Sequence, residues 1–99
     1  MRIDSGAGGS LNCSSDEDLA AAPRVALTVS TPSAFALSLR YIGPDCQPVV
    51  AHVFTFPGEI HEMESFEGAW FDVQDDLGAV VTVWQVPDGV DGSYDRVIP

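Results

Sequence analysis

Four glutamates crowd one short stretch of this chain: Glu59, Glu62, Glu64 and Glu67. Paired carboxylates of this kind serve hydrolases as acid and base, and a row of them docks a basic peptide. The plainer reading is a solvated strand edge whose charge blocks aggregation. Repulsion among such carboxyls would raise their pKa values. Asp72, Asp75 and Asp76 offer oxygens to calcium, but the D-x-D-x-D-G loop is missing. Asp88, Asp91 and Asp95 fall on turns or beside them, where Asp bonds its own backbone. Trp70 and Trp84 offer rings to a carbohydrate. Trp84 lies inside an apolar run and reads as core, whereas Trp70 reads equally as the wall of a peptide groove or as core. Cys13, Cys46, His52 and His61 show neither zinc spacing nor a nucleophile–base pattern. No G-x-S-x-G motif occurs, and no glycine-rich phosphate loop precedes a helix. The chain therefore reads as a non-enzyme with no cofactor and no metal.

Composition narrows the partners. Fifteen Asp and Glu against four Lys and Arg leave a formal charge of -11 on 99 residues. Such a chain lacks the cations that neutralise phosphates, which argues against nucleic acid and against an anionic membrane surface. The length holds one domain. Residues 1–10 show no apolar h-region, so no secretory signal is expected. Cys13 and Cys46 allow one disulfide; the plainer reading is two free thiols in a reducing compartment, cytoplasmic or nuclear.

The elements that must position these residues are extended. Residues 1–23 are rich in Gly and Ser, carry the acidic run Asp16, Glu17 and Asp18, and read as a flexible tail. Ser14 and Ser15 could cap one helical turn there, stopped by Pro23. From Arg24 onward, residues 24–99 read as one domain. Val25, Leu27 and Val29 alternate with Ala26 and Thr28, and Phe35, Leu37, Leu39 and Tyr41 alternate with Ala36, Ser38 and Arg40. Further runs fall at 49–56, 60–66, 69–73, 79–86 and 94–98, separated by Gly, Pro and Asp. Seven short strands at this spacing predict an all-β, seven-stranded antiparallel β-sandwich. Short connections favour antiparallel pairing.

The middle of the chain also carries an ordered set of motifs. Phe56-Pro57-Gly58 is followed, after six residues, by Ser65-Phe66-Glu67-Gly68 and Trp70. Val86-Pro87, Val90-Asp91-Gly92 and a closing Val97-Ile98-Pro99 come next. Upstream stand Pro32, the strand into Tyr41, the Gly43-Pro44-Asp45 turn and Gln47-Pro48. This order, over about residues 31–99, resembles the β domain of the von Hippel–Lindau tumour suppressor family.

The resemblance implies a sandwich that reads a hydroxyproline in an extended peptide, as the substrate-recognition part of a ubiquitin ligase. Ser65 matches the family's pocket serine, which bonds the hydroxyl. Phe66 replaces the neighbouring tyrosine, His52 stands where the family has its pocket tyrosine, and Ala69 stands at the pocket histidine. Trp70 comes one residue early, and no tryptophan precedes Tyr41. The site residues expected on this basis are Ser65, Phe66, His52, Trp70 and Tyr41, with Ser65 as hydroxyl partner and the aromatic rings as walls. The family recruits its ligase through a separate helical domain, so these 99 residues alone are not expected to assemble one. The alternative is an acidic inhibitor or decoy whose glutamates bind a basic protein.

Overall fold

Strict alternation shapes the first strand. In Arg24–Thr31 the residues Val25, Leu27, Val29 and Thr31 are buried, while Arg24 and Ala26 are exposed. A period of two places one set of side chains on each face of a strand, so this pattern has one wet face and one dry face. The computed structural model describes residues 12–32 and 35–98. Over these it shows α1 (Asp16–Ala21), β1 (Arg24–Thr31), β2 (Leu37–Ile42), β3 (Pro48–Phe54), β4 (Glu59–Phe66), β5 (Trp70–Asp75), β6 (Val80–Gln85) and β7 (Ser93–Val97).

The strands form two sheets, one in the order β4-β1-β7 and the other in the order β3-β2-β5-β6. Their inner faces share one core. Val25, Leu27 and Val29 come from the first sheet; Leu37, Leu39, Phe54, Phe71, Val73 and Trp84 come from the second. Phe71 and Trp84 are register partners and stack at 4.8 Å. The all-β expectation and the core position of Trp84 hold in this sandwich-like arrangement.

Two expectations need correction. First, β7 runs parallel to β1, while every other pair is antiparallel. Short connections force antiparallel pairing only between consecutive strands. Here β1 and β7 are separated by most of the chain, and their direction is free. Second, residues 12–23 are not a loose tail. Ser15 caps α1 by accepting the Asp18 N–H at 3.0 Å, and Asp16, Glu17 and Asp18 sit in the first turn. That is the end of a helix where negative charge is favoured. Cys13 is bonded to Cys46, which replaces the expected pair of free thiols. Ser14 is buried; its N–H and hydroxyl both donate to the Ile42 carbonyl, at 3.0 and 2.6 Å. Its hydroxyl also accepts the Trp70 N–H at 2.9 Å. These partners lie 28 and 56 residues away and supply the free energy that orders the segment. The remaining stretch read as tail, 1–11, lies outside the described residues.

Gly68 lets α1 dock. Its φ is +90°, and a Cβ there would fall on the Asp18 carboxylate. Gly68→Ala is expected to cost about 1–3 kcal/mol, the usual range for a strained backbone position. Urea unfolding of Gly68→Ala beside Gly68→Ala/Asp18→Ala separates the two causes. The double variant should recover the steric part and keep the backbone part. An unchanged midpoint in Gly68→Ala would contradict this docking.

Candidate functional site

The connection from β3 to β4 crosses between the sheets, so the two strands form facing edges of a seam. Along β4, Glu59, His61, Met63 and Ser65 are register partners of Thr31, Val29, Leu27 and Val25, the inner row of β1. All four therefore face the interior. On the opposite side of the seam, His52 pairs with Leu39 and so faces inward as well. Tyr41 does the same as partner of Phe71.

One end of this seam is tied shut. His52 Nε2 lies 2.5 Å from Glu59 Oε2, and the Thr55 N–H donates to Glu59 Oε1 at 2.7 Å. The His52 and His61 rings stack at 4.1 Å with 9° between their planes, and Phe54 meets His52 edge-on at 4.7 Å. The Thr55 backbone bond, then the bond to His52, holds the Glu59 carboxyl below its ordinary pKa. The rise expected from crowded glutamates is thus reversed at Glu59. The alternation sends Glu62 and Glu64 to the outer face, while Glu59 turns inward to a histidine. Burial, then the neighbouring His52, lowers the pKa of His61. Stacked rings aim their nitrogen lone pairs side by side, so this pair does not converge on a metal. Among the described residues no group of three His, Cys, Asp or Glu is placed to hold one.

The other end of the seam is open. A cleft of about 230 Å³ is lined by Leu19, Arg24, Tyr41, Met63, Ser65 and Phe66, with Glu64 at its margin. Leu19 on α1 forms one lip and is 42% exposed. The Arg24 guanidinium is held by the Leu19 carbonyl and lies over the Phe66 ring. Tyr41 meets Phe66 edge-on at 6.1 Å and leans on Phe71 at 5.6 Å. One hydroxyl is buried here without a partner among the described residues: Tyr41 Oη makes no hydrogen bond. Ser65, only 5% exposed, lines the same cleft. An unpaired buried hydroxyl costs free energy that a polar ligand atom can recover.

Of the five residues expected at a site, the fold gathers Tyr41, Ser65 and Phe66 in this cleft. His52 shares the seam but belongs to its closed end. Trp70 is elsewhere: it pairs with Ile42 and Gln85, on the face of its sheet opposite to Phe71 and Tyr41. The early position of Trp70 has this consequence, because one residue of slip turns a strand side chain over. Ala69 is fully buried in the core. Sequence reasoning missed Leu19, Arg24, Met63 and His61 as parts of the seam. The period-two row Glu59, His61, Met63, Ser65 was the available signal for two of them. Nothing local signalled the lip formed by Leu19.

The remaining acidic residues have structural partners or face solvent. Asp72 is paired with Arg40. Asp75 Oδ1 accepts the Leu77 and Ala79 N–H groups of its own turn, both at 2.9 Å. On the outer face of the three-stranded sheet, Ala26 and Thr28 form the floor of a groove of about 470 Å³ edged by Glu62 and Glu64. Asp95 stands beside Thr28 on β7. No helix among the described residues is long and apolar enough to cross a membrane. No family model matches this chain and no curated protein matches its sequence.

Proposed function

We propose that this protein is a non-catalytic module that binds an extended peptide segment of a partner protein in the cleft that α1, β2 and β4 line. The observation that carries this reading is the convergence of Tyr41, Ser65 and Phe66 on one cleft, with the Tyr41 hydroxyl buried and unpartnered among the described residues. An aromatic wall with a buried hydroxyl suits a side chain that is mostly apolar and bears one polar atom. Hydroxyproline has that chemistry, and the motif order resembling the von Hippel–Lindau β domain family supports it. Discrimination follows because the unhydroxylated residue leaves buried polar groups unpaired. The exposed backbone of an edge strand adds main-chain bonds to an extended segment. The Cys13–Cys46 bond supports an oxidising compartment in place of a cytoplasmic or nuclear one.

Calorimetric titration with paired peptides, one carrying hydroxyproline and one proline, tests the reading. The hydroxylated peptide should bind more tightly, and Ser65→Ala should weaken it about tenfold, the worth of one hydrogen bond of about 1–1.5 kcal/mol. Equal affinity for the two peptides, or full affinity in Ser65→Ala, would retire the hydroxyl reading. A second reading places a basic segment on the outer groove between Glu62, Glu64 and Asp95, favoured by the small side chains of its floor. Binding there should fade in about 0.5 M salt as charges are screened, whereas binding in the cleft should persist.

A further inference from the structure

The closed end of the seam has a composition that the cleft does not need. Two imidazoles and one carboxylate from opposite sheets meet where a pair of aliphatic side chains would bury more apolar surface. His52 belongs to β3, and Glu59 and His61 to β4. Their contacts join these two edges directly. The same inner row of β4 continues through Met63 to Ser65 in the cleft.

We propose that His52, His61 and Glu59 form an acid-operated latch that holds β3 against β4 at neutral pH and releases the seam when His61 takes up a proton. Glu59 is committed to His52 by their bond. A charged His61 ring would lie face to face with the His52 ring, their centroids 4.1 Å apart. Among the described residues no other carboxylate is paired with this row. The inward neighbours are Val29 and Thr31 on β1, Leu39 on β2 and Phe54 on β3, none of which titrates. Beyond Val29 in the same row stands Arg96 on β7, a cation whose guanidinium lies over the Trp84 ring. Glu62 and Glu64 point to the opposite face. Arg40 is on the outer face with Asp72, and Arg24 is at the far end of the cleft.

The direction of the pH effect follows from the folded-state shifts. The pKa of His61 lies below its ordinary value of 6.5, so the folded form resists its protonation. Its contribution to the closed state is present above about pH 6.5 and is lost as pH falls through the depressed value. Glu59, also depressed, adds a contribution present above its ordinary 4.5 and lost only in stronger acid. The latch therefore opens first through His61. An open seam moves Met63 and Ser65 away from Tyr41, and a peptide spanning them is released. This last consequence rests on the cleft being the peptide site; the latch itself does not. Reciprocity requires that a bound peptide make His61 harder to protonate.

Hydrogen exchange of the segment 52–61, corrected for intrinsic rates, at about pH 7.5 and about pH 5.0 reads the latch directly. Wild type should lose protection there in acid, because the closed form resists the proton that the open form accepts. His61→Phe keeps a stacking ring without a proton site and should lose little; His61→Gln serves if that variant does not fold. Equal loss in wild type and variant, or no loss in either, overturns the latch. Titration of the hydroxyproline peptide at both pH values, on the same samples, separates the two ideas. Acid-sensitive exchange with no binding at either pH sinks the cleft and leaves the latch standing. Binding equally tight at both pH values, with exchange unchanged, sinks the latch and leaves the cleft.

Discussion

Arg40→Ala is expected to destabilise the fold by about 3–5 kcal/mol, the usual cost of removing one member of a buried ion pair. The pair is bidentate: Nε donates to Asp72 Oδ1 and a terminal nitrogen to Oδ2, each at 2.7 Å. The two side chains are 18% and 5% exposed, so water reaches Arg40 far better than Asp72. Deleting the guanidinium strands a carboxylate that the sheet has already desolvated. The location explains the burial. Arg40 and Asp72 are register partners on the outer face of the four-stranded sheet, flanked in the same row by Val50 and Val83. Asp72 thus lies between Arg40 on one neighbouring strand and Val83 on the other.

Replacing both partners together, as in Arg40→Met/Asp72→Leu, should cost much less than Arg40→Ala, because no charge is then left buried. Urea denaturation compares the midpoints at constant slope. A double replacement as damaging as the single one would show that the pair acts by shape alone.

Reduction of the Cys13–Cys46 bond should have an effect of similar size. The cysteines are 33 residues apart, a separation for which loop closure gives about 4 kcal/mol in the chain-entropy account. For a domain of this size each kcal/mol moves the melting temperature by about 4–8 °C. The loss has a functional side. The disulfide, together with Ser14 on Ile42 and Trp70, docks the segment that carries α1. Releasing it frees Leu19 from the lip of the cleft and Asp18 from its place against Gly68. Thermal melts with and without reductant, paired with exchange of residues 15–22, measure both consequences. Cys13→Ala/Cys46→Ala gives the same comparison without reductant. An unchanged melting temperature would mean that the docked segment contributes little to the fold.

A reductant that opens this bond removes that contribution. Two cysteines make no framework, so spacing alone predicts free thiols. Proximity decided otherwise. With Cα atoms 4.8 Å apart, the bond is set by the register of Ile42 and Trp70 against Ser14, which no spacing rule contains.

What the linear order determined was period and sign. Alternation in Val25, Leu27 and Val29 or in Leu37 and Leu39 fixes which side chains are dry, because a strand turns over at every residue. The glycines and prolines between such runs set where strands end. The charge of -11 argues against phosphate-rich partners before any contact is known. Even the inward row Glu59, His61, Met63, Ser65 was present as alternate letters. Only the tertiary structure decided which rows meet. It brought Tyr41 to Ser65 and Phe66, sent Trp70 to the opposite face, stacked His52 on His61, and set β7 parallel to β1. The physical reason is range. Period and turn chemistry are local free energies, whereas pairing between distant strands is settled by the whole core and by one cross-link closing a long loop.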